Sequence, residues 1–194
     1  TIPIACDEPN KIRAASLVIN DRGSIVARYD KIHLFDVVIS ETEKYQESAT
    51  TQAGSDPIIV STPFGKIGLS VCYDIRFPEL FRYYALNGVD IITIPSAFTL
   101  KTGAHWDILS VARAVESFSY IVGSCQGGQH SSERKTYGNS RIINPWGEIV
   151  SQIEGVESGI LYADINLDYI QSIRSSIPAL THTKKELLCQ VAEL

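Results

Sequence analysis

The sequence of 194 residues contains no methionine and opens on Thr1. Those two features lead us to expect an N-terminally incomplete domain, so the residues in hand say little about a targeting segment. No run of ~18 or more apolar residues occurs, which excludes a membrane-spanning helix of ordinary length and leads us to expect no membrane partner. A basic cluster is also lacking. With 17 Lys+Arg against 22 Asp+Glu and a formal net charge of −5, general nucleic-acid binding is not expected. The 4 cysteines, at positions 6, 72, 125 and 189, form no CxxC and no zinc-finger spacing. Scattered in a domain of this size, they read as reduced and buried rather than as a disulfide framework. GxGxxG, Walker, HExxH and N-x-S/T patterns are absent, and the histidines and cysteines make no metal set. We expect no metal and no organic cofactor. What is present is ordinary globular composition, 44% hydrophobic and 20% charged. One domain over residues 1–194 and a cytoplasmic location are the corresponding expectations.

Strand signals are frequent. Ser16–Asn20 and Ser24–Tyr29 flank Asp21-Arg22-Gly23 as a hairpin, and Pro57–Ser61 and Lys66–Cys72 flank Pro63-Phe64-Gly65 as a second. Val89–Ile94 and Tyr120–Cys125 are short apolar runs bounded by turn residues and read as buried strands. Ser140–Asn144, Glu148–Ile153 and Gly159–Ile165 read as further strands, the first two joined by Pro145-Trp146-Gly147. Helices are expected over Pro78–Asn87, opened by Pro and closed at Gly88, over Ala104–Phe118, and over Leu167–Ser175 before Pro178. In the second, helical spacing places Ile108, Ala112 and Val115 on one face. Hairpins followed by strand–helix–strand–helix–strand suggest a layered α/β protein, sheet against sheet with helices outside. From about residue 180 the chain reads as a polar tail.

Chemistry is expected where the strand ending at Cys72 turns toward the helix at Pro78. A residue at such a turn stands outside the carboxyl end of the sheet, with main-chain N–H groups aimed the same way. Cys72 is therefore a candidate nucleophile, the alternative being an inert core thiol. Lys31, just past a strand, would favour a nearby thiolate and a developing oxyanion; the alternative is a solvated surface lysine. His33, two residues on, would share its face on a strand. It is open as base, ligand or structural group, with the structural role favoured. His105 reads as a capping or packing group.

The residues around these candidates resemble a known family. Tyr29-Asp-Lys-Ile-His-Leu-Phe-Asp36 is similar to the lysine motif of the nitrilase superfamily of carbon–nitrogen hydrolases. Gly68-Leu-Ser-Val-Cys-Tyr-Asp-Ile-Arg-Phe-Pro-Glu-Leu80 is similar to its cysteine motif. Pro95–Phe98, Gly103–Trp106, Arg113–Glu116 and Asn144–Gly147 resemble segments of the branch containing omega-amidases and deaminated-glutathione amidases, in the same order along the chain. The resemblance implies an α-β-β-α sandwich, here apparently lacking its N-terminal portion. It implies Cys72 as nucleophile, Lys31 as catalytic lysine and Glu47 as a supporting glutamate. The Tyr73 N–H would serve the oxyanion hole, and Phe98 and Thr99 would line the substrate pocket. It implies hydrolysis of a small linear carboxamide through a thioester, and assembly into a homodimer or higher homo-oligomer. Within the same fold, a carbamoylase or a nitrile hydrolase is an alternative; a non-catalytic binding or assembly protein is another. The family's general-base glutamate lies ahead of the lysine motif. Asp7 and Glu8 do not match that segment and are not assigned the role. Arg76 and Arg113 are each open as a carboxylate anchor or as a structural ion pair.

Overall fold

The structure is a computed structural model, and it describes residues 1–131 and 134–184. Thirteen strands, three α-helices and two 3₁₀ turns follow one another among these residues. The first hairpin extends to three antiparallel strands, β1 (Ile2–Ala5), β2 (Ile12–Ile19) and β3 (Ile25–Asp30). β4 (Asp36–Val38) and β5 (Lys44–Gln46) pair as a short ribbon that leads into a 3₁₀ turn at Glu47–Ala49. β6 (Ile59–Thr62) and β7 (Gly65–Leu69) form the second expected hairpin, closed by Gly65 at φ +114°. That dihedral suits glycine and strains other residues.

β7 is followed by α1 (Pro78–Leu86), β8 (Ile91–Thr93), α2 (Gly103–Ser117) and β9 (Tyr120–Gly123). β7, β8 and β9 are mutually parallel, as strands joined by helical crossovers must be. After the ribbon β10 (Gly127–Gln129) and β11 (Lys135–Tyr137), the chain adds β12 (Arg141–Ile143) and β13 (Ile149–Gln152). The main sheet then has the order β13-β12-β9-β8-β7-β6. α1 and α2 cover one face so closely that a Cβ on Gly68 would meet the Tyr84 ring, and one on Gly123 the Trp106 ring. The opposite face carries Ile91 and Tyr120 and packs on Ile170 of α3 (Leu167–Ser176). The α/β class read from the sequence is what forms.

Four local expectations are corrected. The strand at Lys66–Cys72 ends at Leu69, and Cys72 instead opens the 3₁₀ turn Cys72–Arg76. Residues 31–35 form no strand and bend at Ile32 and His33, so Lys31 and His33 do not share a strand face. α2 buries Trp106, Ser110, Arg113, Ala114 and Ser117, while Ile108 is 66% and Val115 43% exposed. The inner face packs Trp106 and Ala114 and carries Arg113, whose Nε donates to the Ile75 carbonyl at 2.7 Å. Gly159–Ile165 forms no strand among the described residues; its alternation survives, with Ile160 and Tyr162 outward and Leu161, Ala163 and Ile165 half-buried. Alternation specifies the two faces of a strand, not its hydrogen-bond partner. The expected tail from about 180 lies mostly outside the described residues.

Candidate active site

The carboxyl ends of β7, β8 and β9 open into a cavity of about 750 Å³, the usual place for a site in a parallel sheet. Lys31, Glu47, Cys72, Tyr73, Phe98 and Thr99 all line it, so the six residues to which the resemblance gives a site role reach one space.

Lys31 enters from the end of β3 and is 4% exposed. Its Nζ donates to Glu47 Oε2 at 2.5 Å. The same oxygen accepts the Phe35 main-chain N–H at 2.6 Å. Glu47 opens its 3₁₀ turn, and its carboxylate therefore compensates a buried ammonium and ties down the bend after Lys31. A buried cation without such a partner would be strongly disfavoured.

Cys72 has φ +51°, a left-handed conformation that costs a residue with a Cβ about 1–3 kcal/mol. The turn is held by Cys72 N–H to Pro95 O at 2.9 Å and by Asp74 N–H to Val71 O at 3.1 Å. The Tyr73 N–H between them takes no main-chain partner among the described residues. Burial pushes the Cys72 thiol up from its ordinary value; the Lys31 charge and the Ala97 amide pull it down, and Glu47 and Asp74 oppose them.

Asp74, wholly buried, receives the Val71 N–H and Tyr29 hydroxyl on Oδ2, each at 2.7 Å. His33 donates to Oδ1 from its main-chain N at 3.1 Å and its Nδ1 at 2.8 Å, and its ring stacks on Phe77 at 3.6 Å. His33 thus has the structural engagement favoured for it. His105 contacts Arg76, Nδ1 to guanidinium 2.8 Å, at the surface. Arg113 holds the Ile75 carbonyl and Glu116, so it is a structural group and not a pocket cation.

The opposite wall is built by Phe98 and Thr99, 4% and 6% exposed. Phe98 packs on Trp106, and its carbonyl accepts the Tyr137 N–H at 2.8 Å. Tyr137 donates its hydroxyl to Asp107 at 2.5 Å, and Arg141 pairs with the same carboxylate. The sequence reading missed β11 and hence Arg134, Lys135 and Thr136, which also line the cavity. Their only signal was the pair of cations beside a Tyr-Gly turn. Glu47 is the only carboxylate among the described lining residues. Asp7 and Glu8 lie elsewhere, Glu8 paired with Lys11 at 2.5 Å. No group of three or more His, Cys, Asp or Glu fit to hold a metal ion occurs among the described residues. No helix there is long and apolar enough to cross a membrane. Cys6 and Cys72 are half-buried free thiols, Cys125 is a buried one, and Cys189 lies outside the described residues.

Residues 2–175 match the family model described as carbon-nitrogen hydrolase. The chain is 43% identical over 181 residues to a deaminated glutathione amidase of Dictyostelium discoideum, covering 92% of this chain and 62% of that protein. The chain therefore spans somewhat under two thirds of that relative's length. Among solved structures, the Caenorhabditis elegans NitFhit protein superposes with a TM-score of 0.86 at 38% identity, over 93% of this chain and 45% of that one. A mutant of the amidase from Nesterenkonia sp. AN1, solved in complex with butyramide, superposes with a TM-score of 0.74 at 26% identity, over 92% of this chain and 64% of that one. In another structure of that amidase, acrylamide has added to the active-site cysteine. The fold is of the nitrilase type, and the chain belongs to the carbon–nitrogen hydrolase family.

Proposed function

We propose that this protein is an amidase that hydrolyses a small linear carboxamide to the acid and ammonia through a thioester on Cys72. The observation that carries the reading is the meeting of a buried ammonium, its compensating carboxylate and a strained thiol in one cavity. The Cys72 sulfur attacks the amide carbon and its proton is taken up by a base. The oxyanion that forms is met by the Lys31 ammonium and the unused Tyr73 N–H, each such donor being worth roughly 3–4 kcal/mol when it is aligned on the transition state. Collapse of the tetrahedral species expels ammonia, which must be protonated as it leaves; water then cleaves the thioester with the same base assisting. Glu47 has one oxygen committed to Lys31 and Phe35, and so serves as the supporting carboxylate. Asp7 and Glu8 do not reach the cavity and are not the base.

Arg134 and Lys135 have no acidic partner among the described residues. Two cationic side chains on the lining favour an amide that also carries a carboxylate. Ammonia release by the full-length protein from a panel of neutral and carboxylate-bearing linear amides tests the reading. Turnover of the carboxylate-bearing amides with lower KM is expected. Turnover of nitriles or N-carbamoyl compounds alone would replace it with one of the sister activities, and no turnover of any would favour a binding protein.

A further inference from the structure

Lys31 and Cys72 lie on chain segments 41 residues apart in sequence, and the contacts around them converge on one carboxylate. Tyr29 and His33 bracket Lys31 at two residues on either side, and both bind Asp74. Val71, the residue before Cys72, binds it too. Four donors therefore share two oxygens, three from the lysine segment and one from the cysteine turn, in a position with no exposure to water. A carboxylate accepts at both of its oxygens, so this one side chain holds all four donors at once.

We propose that Asp74 is a positioning residue for the reaction: its carboxylate locks the Lys31 segment to the Cys72 turn and so sets the ammonium against the thiol. The proposal rests on the amidase reading for the roles of Lys31 and Cys72. Its effect has a sign that a bystander would not share. The Asp74 charge by itself disfavours the Cys72 thiolate, whereas the Lys31 charge favours it. Removing the charge while geometry holds would let Cys72 ionise more easily. Removing it while Lys31 swings away makes ionisation harder. The positioning role predicts the second.

Asp74→Asn keeps the shape but turns an amide N–H₂ toward one pair of donors, leaving at least one buried donor unpaired. The experiment is made on the full-length protein. It measures kcat and KM for an amide turned over by the wild type, and the pH dependence of Cys72 alkylation by iodoacetamide, followed by mass spectrometry. We expect kcat to fall about 100-fold, the scale of an ångström-sized misplacement, with KM little changed. The alkylation midpoint should move to higher pH. A kcat within about threefold of wild type, or a midpoint that moves to lower pH, would overturn the proposal. Should Asp74→Asn fail to fold, Tyr29→Phe removes one donor and leaves the carboxylate. It should lower kcat about tenfold, some 1.4 kcal/mol of barrier, and unchanged kcat would overturn the proposal equally. A wild type that hydrolyses no amide defeats the amidase reading alone, because the alkylation midpoint still decides the role of Asp74.

Discussion

Burial and charge act on Cys72 in opposite directions, and burial is the larger. The thiolate fraction of Cys72 should therefore grow at higher pH than that of an exposed thiol. Alkylation of Cys72 by iodoacetamide should accordingly still be climbing at pH 9, where an unperturbed thiol has begun to level off. Lys31→Ala removes the favourable cation, so the whole limb should shift further to the alkaline side; a shift to the acid side would mean that Lys31 does not act on this sulfur. Glu47→Gln keeps the shape but strips the compensating charge from a nearly buried ammonium. Breaking a buried pair in this way typically costs ~3–5 kcal/mol, reduced here because Glu47 is partly exposed. Loss of most activity together with a lower urea midpoint is the expected result, and activity within a few-fold of wild type would remove Glu47 from the machinery. His33 and Asp74 show the limit of sequence reading at this scale. Their histidine–carboxylate bond joins positions 33 and 74, and no periodicity connects them. His33 engages Asp74 and Phe77, and neither partner is marked by any spacing in the sequence.

Elements were legible where turn chemistry and apolar runs coincide. The two hairpins, the parallel strands around α1 and α2, and the capped helices all form within a few residues of where Gly, Pro and β-branched runs place them. α3 even carries its own cap, with Asn166 Oδ1 accepting the Tyr169 N–H at 2.9 Å. Elements defined only by tertiary partners were not legible. β10 and β11 are three residues each, and β10 begins Gly127-Gly128, so neither presents an apolar alternation. The outward apolar residues of α2 mislead in the same way, because the inner face is chosen by fit. Gly103 shows that fit: a Cβ there would stand 2.3 Å from the Tyr137 ring. Gly103→Ala should therefore displace Tyr137 and the wall it carries, with an overpacking cost of ~1–3 kcal/mol. A drop in urea midpoint accompanied by a raised KM is expected, and a variant equal to wild type in both would show that α2 and β11 are not held in register there.

For the whole molecule, the outer side of α2 has a consequence of its own. Ile108 and Val115 stand out from the helix. Val115 also abuts Gly147, and Trp146 beside it is 54% exposed. Ile108 and Val115, seven residues apart, share this outer face, and a contiguous apolar patch there would suit an association surface. We propose self-association through this face. Gel filtration with light scattering should find a dimer or larger assembly, and Ile108→Glu should shift it toward monomer; a monomeric wild type would end that proposal.

The central claim is a covalent one, that Cys72 carries the acyl group of an amide during turnover. It is tested most directly by acid-quenching the full-length protein during steady-state hydrolysis and mapping the mass of its cysteine peptides. A mass increase equal to the acyl group should appear on the Cys72 peptide and nowhere else, and Cys72→Ala should neither form it nor release ammonia. Ammonia released at an undiminished rate by Cys72→Ala, or an acyl group found on Cys125, would contradict it.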